Sequence, residues 1–158
     1  MATAMQSFGM TRVLQMGFEE ALVRIPEALK TEGFGVLTEI DVKDTMRKKL
    51  DVDFRRYRIL GACNPPLAHR ALTANLEVGL MLPCNVIVYE DDAGKTVVKA
   101  VDPMNTMAAQ GDAQVQEVAA AVLPKTDAPR SPDQPHAEVA AEIDLSIQNQ
   151  VKASTTQL

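Results

Sequence analysis

The chain has 158 residues, of which 46% are hydrophobic and 23% charged, and its formal net charge is −5. This length and composition suit one globular domain that buries a real core. The negative charge argues against binding to nucleic acid, which needs a basic surface, and an aromatic content of only 4% argues against a base-stacking platform.

The sequence also predicts the cellular compartment of the protein. No segment approaches the roughly 20 apolar residues that a membrane helix requires. Residues 1–10 lack the basic and apolar regions of a secretory signal. We therefore expect a cytoplasmic protein that does not bind membranes, in which Cys63 and Cys84 are free thiols.

The first elements follow from periodicity. Residues 8–14 alternate as in a short strand, and a helix is predicted from Phe18 to Leu29. Pro26 removes a backbone donor inside that helix, so we expect a kink or a break there. Gly33 can adopt the positive φ that ends a helix. The apolar face of the helix comprises Phe18, Ala21, Leu22, Ile25, Ala28 and Leu29.

A second strand is predicted over 34–40, and Asp41 is suited to cap a short helix after it. In that helix Val42, Met46 and Leu50 are spaced to pack on one side. A third strand is predicted over 57–63.

Asn64 and Pro65 form a strong helix start, because Asn supplies a capping oxygen and Pro at the first helical position loses no needed hydrogen bond. The helix 65–75 would turn His69 and Arg70 towards its polar side. Its predicted buried side consists of Leu67, Ala68, Ala71 and Leu72.

Residues 78–82 and 84–90 are apolar, strand-like runs separated by Pro83. A turn at 91–94 leads to a last strand over 96–101. One more amphipathic helix is predicted from the spacing of Val115, Val118, Ala119, Val122 and Leu123.

Prolines then mark a change of organisation. We predict a single α+β domain over 8–123, a Pro-rich linker over 124–136 and a mobile tail over 137–158. The tail carries a narrow apolar stripe, enough for a short helix, at Val139, Ile143, Ile147 and Val151.

The predicted order is β-α-β-α-β-α-β-β-β-α. Helical crossovers early in the chain and a hairpin late in it favour an α+β fold, with a largely antiparallel sheet and helices packed on one face.

Three segments resemble a known family, the domain of unknown function 302. These are the run from Gly33 to Asp41, the motif from Gly61 to Ala68, and the segment from Leu82 to Val86. The similarity extends from about Phe8 to Leu123. The resemblance implies a compact α+β domain, often dimeric, and it supplies no catalytic residue.

The candidate site comprises Cys63, Asn64, Pro65, Cys84 and Asn85. The dipeptide Cys-Asn occurs twice here, each time next to a proline that interrupts the regular backbone. A thiol near a helix N-terminus favours the reactive thiolate, which would suit redox exchange or sulfur transfer. The alternative is that both cysteines are small buried apolar side chains, since free Cys is among the most buried residue types. No C-x-x-C spacing supports the reactive interpretation.

Other residues offer weaker sites. His69 could join the two cysteines as a metal ligand, although its place on the polar side of the helix favours plain exposure. Met104 and Met107 could bind copper(I) but are typical of core filling.

Charged side chains near strand ends can likewise be interpreted as part of a functional site or as ordinary solvated surface. The carboxylates Glu39, Asp41, Glu77 and Asp102 are expected to be solvated charges. The basic run 55–58 could grip an anionic ligand or simply be a solvated strand entrance.

These observations lead to a binding hypothesis: a small-ligand-binding or interaction module, homodimeric, with its pocket at the Cys-Asn-Pro and Pro-Cys-Asn segments. The alternative is a thiol-based redox or sulfur-transfer protein, or soft-metal binding by the two cysteines. No catalytic constellation is recognisable, and neither a cofactor nor a particular ligand is indicated.

Overall fold

The computed structural model describes residues 9–101 together with Ala113 and Glu117. The strands are β1 (Gly9–Leu14), β2 (Gly35–Asp41), β3 (Tyr57–Cys63), β4 (Cys84–Glu90) and β5 (Thr96–Val101). The helices are α1 (Phe18–Thr31), α2 (Val42–Leu50) and α3 (Pro65–Ala74), followed by a 3₁₀ helix at Leu76–Met81.

The strands form one sheet in the order β1-β5-β4-β3-β2, and every neighbouring pair is antiparallel. The two edge strands, β1 and β2, therefore run in the same direction, and α1 connects them across one face. The predicted α+β class with a largely antiparallel sheet is confirmed.

Helix α1 covers the sheet through its predicted apolar side. Leu22 is half-buried, and the other five predicted positions are buried. The helix continues through Pro26 to Thr31, so the expected break does not occur. Its end is a Schellman motif: the N–H groups of Gly33 and Phe34 donate to the carbonyls of Lys30 and Leu29, and Gly33 adopts a φ of 82°.

The sheet face beneath α1 is called the inner face. Side chains of a strand alternate between faces, so the register gathers one set of positions here. With α1 and Leu14 they form the main hydrophobic core, to which the strands contribute Leu60, Ala62, Val86, Val88 and Val98.

Two elements differ from expectation. The expected packing side of α2 does not form a core, because Leu50 is exposed and Val42 and Met46 are only half-buried. Residues 78–82 do not form the predicted strand: 78–81 belong to the 3₁₀ helix, and Leu82 follows its end. Asn75 accepts a hydrogen bond from the Glu77 N–H at its start, and Val78 is buried against Ala71 of α3.

The remaining predictions concern residues that follow β5. The last predicted helix is described only at Ala113 and Glu117, which are both helical. The linker at 124–136 and the tail at 137–158 lie outside the described residues. Among the described helices, none has the length and apolar character needed to cross a membrane.

The core assignment predicts how two leucine substitutions differ. Leu60 is 1% exposed and Leu80 is 89% exposed. We expect Leu60→Ala to lower the free energy of unfolding by about 2–5 kcal/mol, because it leaves a cavity in the core. We expect Leu80→Ala to change it by less than about 0.5 kcal/mol. Urea denaturation measures both, and equal effects would contradict the assignment of the inner face.

Candidate functional site at one end of the sheet

The strand register brings the three sequence segments of the candidate site to one end of the sheet. Gly35 of β2 pairs with Cys63 of β3, and Ala62 pairs with Cys84 of β4. Asn85 pairs with Gly61. The turn after α1, the start of α3 and the start of β4 are therefore neighbours.

Gly61 is a point of very close approach between β3 and its neighbours at this end. A Cβ atom added there would collide with Thr38 Oγ1 and lie 2.7 Å from Pro83 Cγ. Thr38 and Pro83 thus pack directly over the bare backbone of β3. Only glycine provides this space, and sequence reasoning identified neither Thr38 nor this contact.

Asn64 joins two of the three segments. Its Oδ1 accepts a hydrogen bond from the Leu67 N–H at 3.3 Å, which caps α3 as predicted. Its Nδ2 lies 3.1 Å from the position that a Cβ on Gly33 would occupy. The side chain of Asn64 therefore serves the helix start and borders the turn after α1. Pro65 follows at the first position of α3, where it is exposed.

The two cysteines are neighbours, but they face different ways. Cys84 is opposite Ala62, a residue of the inner-face core, and Cys63 is the next residue along β3. Successive side chains of a strand point to opposite faces, so the register places the thiols on different sides of the sheet. Both are half-buried and free.

Burial raises the pKa of the Cys84 thiol, and the nearby Cys63 raises it further. A raised pKa lowers the fraction of reactive thiolate at neutral pH. Cys84 is therefore poorly suited to nucleophilic chemistry.

The soft-metal alternative gains no third His, Cys, Asp or Glu ligand in the described part of the chain. Within it, no group of three or more His, Cys, Asp or Glu side chains is placed to hold a metal ion. His69 is exposed on α3 and does not complete such a group with the cysteines. Met104, Met107 and Asp102 lie outside the described residues.

The arginines of the basic run 55–58, at the start of β3, are paired with acidic side chains. Arg55 pairs with Asp92 at 2.7 Å. Arg58 binds both Glu39 and Asp41, the latter at 2.9 Å. Arg56 lies 3.6 Å from Glu90 and 3.9 Å from Glu19. These pairs support the interpretation of a charged strand entrance.

The face opposite α1, called the outer face, carries a second unpredicted feature. Its positions follow from alternation and register and are largely apolar, with Lys99 as the one charged side chain among those described. They include Val13, Val97, Tyr89 and Tyr57 in one row, and Thr11, Lys99, Ile87, Ile59 and Ile40 in the next.

Aromatic contacts order the first row of this face. The rings of Tyr57 and Tyr89 stack with centroids 5.5 Å apart, and Lys99 Nζ lies 5.9 Å from the Tyr89 centroid. Burial and the neighbouring Tyr89 raise the pKa of Tyr57. The sign of this contact in the sequence was the spacing of aromatic residues on strands that pair. That spacing can be recognised only when the strand register is known.

A family profile, "Domain of unknown function DUF302", matches residues 10–128. The chain belongs to this family. A crystal structure of an uncharacterized conserved DUF302 protein from Bacillus stearothermophilus is similar, with 30% sequence identity and a TM-score of 0.68. The match covers 89% of this chain and 96% of that one. No curated protein matches the chain.

The three segments that resembled the DUF302 family all lie in the matched range, and they are the segments that meet at one end of the sheet. The resemblance therefore corresponds to one region of the fold.

The close approach at Gly61 predicts a cost for any side chain there. We expect Gly61→Ala to lower the free energy of unfolding by roughly 1–3 kcal/mol, because Thr38 and Pro83 must move. Gly35→Ala is the matched control, since a Cβ on Gly35 meets nothing within 4 Å. Urea denaturation of both variants measures the difference, and an equal cost at the two glycines would rule out the tight contact.

The environment of Cys84 predicts slow alkylation. In a Cys63→Ser variant, Cys84 is the only thiol. We expect it to react with iodoacetamide at about pH 8 more slowly in the folded protein than in the urea-unfolded chain, because burial raises its pKa. Mass spectrometry follows the reaction. Equal rates in the two states would show that Cys84 is accessible and ordinary.

Proposed function

We propose that this protein is a small-ligand-binding module whose site is the end of the sheet where the three family segments meet. The observation that supports the proposal is that the Cys63-Asn64 and Cys84-Asn85 steps lie at one end of the sheet, beside the contact of Thr38 with the backbone of Gly61. Binding sites place a few polar groups beside apolar surface, often at element ends. Exposed Asn85 and half-buried Cys63 are the groups best placed to contact a ligand.

Nuclear magnetic resonance with a fragment library tests this site. In ¹⁵N-labelled protein, we expect fragment hits to shift amides at 33–35, 61–64 and 84–86 together. An Asn85→Ala variant should weaken these hits, whereas Lys95→Ala, at the exposed turn beyond the other end of β4, should leave them unchanged. Hits confined to other surfaces, or none from the whole library, would contradict the proposal.

The same proposal includes a homodimer formed through the edge strand β2. An exposed edge presents unpaired backbone groups to a second chain. Leu37 is the extra residue of a bulge in β2 and is 65% exposed, and Ile40 on the same edge is also exposed. Apolar side chains on a free edge support pairing of two copies.

Light scattering tests the dimer. We expect the wild-type protein at micromolar concentration to have twice the chain mass of 17.2 kDa. Leu37→Lys should give the monomer mass, because it places a charge at the proposed contact. Val23→Lys is the matched control, since Val23 on α1 is 62% exposed and distant from the β2 edge in sequence. A wild-type monomer, or a dimer that survives Leu37→Lys, would refute this interface.

The thiol-based alternative stays a prediction, with Cys63 as its one candidate nucleophile. Its placement at the start of α3 supports it, and the division of the two thiols between sheet faces weighs against a dithiol mechanism. The expected cytoplasmic setting also stays a prediction.

A further inference from the structure

The two tyrosines of the chain lie side by side on the outer face, away from the candidate site at Gly61. Tyr57 and Tyr89 are the only tyrosines in the sequence, which contains no Trp. They pair across β3 and β4, and both are half-buried. Tyr57 precedes Gly61 by four residues in β3, which is about 13 Å at about 3.3 Å per residue. The tyrosine pair therefore belongs to a different part of the sheet.

Ring contacts hold this pair in place. The planes of Tyr57 and Tyr89 are inclined by 15°, and their centroids are 5.5 Å apart. The ring of Phe54 lies 6.2 Å from that of Tyr57, and Lys99 Nζ lies 5.9 Å from the Tyr89 centroid. The two phenol rings thus form an ordered aromatic surface.

The row beside the tyrosines is apolar on the same strands except for one cation. In register it contains Ile59 of β3, Ile87 of β4 and Lys99 of β5, all half-buried. Directly opposite and diagonal neighbours on one face of a sheet are close enough for their side chains to touch. These three residues and the two tyrosines therefore form one continuous surface, which we call the tyrosine patch.

Lys99 has no carboxylate partner among the described residues. Only Lys43 and Lys99 are half-buried among the described lysines. Lys43 forms an ion pair with Asp53 at 3.6 Å, whereas Lys99 forms none. Glu90, at the end of β4, lies instead 3.6 Å from Arg56. A partly desolvated ammonium group on an apolar surface favours an anion that can approach it.

We propose that the tyrosine patch binds a small planar aromatic carboxylate. The ring of the ligand would lie over Ile59 and Ile87 beside the tyrosines, where edge-to-face contacts stabilise aromatic pairs. Its carboxylate would accept a hydrogen bond from the Lys99 ammonium group. Burial raises the pKa of Tyr57, so this phenol stays protonated at neutral pH and adds no negative charge to the patch. A neutral aromatic compound would leave the ammonium group unpaired, and a short aliphatic acid would leave the apolar surface uncovered.

Tyrosine-selective nuclear magnetic resonance tests the patch in the full-length protein. Because the chain has only two tyrosines, ¹³C labelling of tyrosine rings gives signals from this patch alone. We expect 2-naphthoate to shift both ring signals along one saturable curve. The neutral analogue 2-naphthylmethanol should bind about fivefold more weakly, because it lacks the charge that Lys99 pairs with. Acetate should cause no saturable shift.

Two results of these titrations would overturn the proposal. The first is that 2-naphthoate produces no saturable shift of either tyrosine signal. The second is that the acid and the alcohol bind equally well, which would show that Lys99 does not select an anion.

Variants of two lysines assign the binding. Lys99→Met removes the charge and keeps the apolar stem, so it should weaken 2-naphthoate binding about fivefold, to the affinity of the alcohol. Lys99→Arg should retain binding. Lys95→Met, beside the exposed turn before β5, is the matched control and should leave the affinity unchanged. The amide spectrum of β3 shows that each variant remains folded.

The same variants separate this site from the one at Gly61. An affinity for 2-naphthoate that is unchanged by Lys99→Met would contradict the proposal. It would also fail if Asn85→Ala abolished the tyrosine shifts while Lys99→Met preserved them, because the probe would then bind at the other end of the sheet. Binding that depends on Lys99 and not on Asn85 supports the tyrosine patch, whatever the outcome at Gly61.

Discussion

The structure depends on the antiparallel pairing of β3 with both of its neighbours around Gly61. Pairing with β4 sets Gly61 opposite Asn85, and pairing with β2 sets it opposite Thr38, next to a bulge. Thr38 and Pro83 then fill the space that a side chain would take. A shift of one residue in this register would exchange the two faces of β3, moving Leu60 and Ala62 out of the core beneath α1.

The same register explains why the two cysteines, although adjacent in space, do not have their thiols placed to react with each other. Because Cys84 is opposite Ala62, Cys84 belongs to the inner face and Cys63 to the outer face. The inner thiol has a raised pKa. What the sheet gathers at this end is instead a group of polar side chains and tight turns, the region for which a ligand is proposed above.

Local signals in the sequence were enough to predict several elements. The cap at Asn64, the positive φ at Gly33 and the bounds of β3 each depend on residues close in the chain, and all three are confirmed. Residues 78–82 were harder, because a short apolar run fits a strand as well as a buried turn, and the contact of Val78 with Ala71 decides between them. The contacts of Gly61 and the stacking of Tyr57 on Tyr89 join distant segments, so they require the strand order. The pairing of Glu39 and Asp41 with Arg58 has the same origin.

The central claim, that strand register and not a cysteine pair organises this end of the molecule, is tested most directly by mild oxidation followed by peptide mapping. Copper-phenanthroline treatment of the native protein should yield no intrachain disulfide between Cys63 and Cys84, because side chains on opposite faces cannot meet without backbone movement. The same treatment of the urea-unfolded chain should yield it readily. Rapid formation of the Cys63–Cys84 disulfide in the native protein would contradict the account and restore the dithiol mechanism.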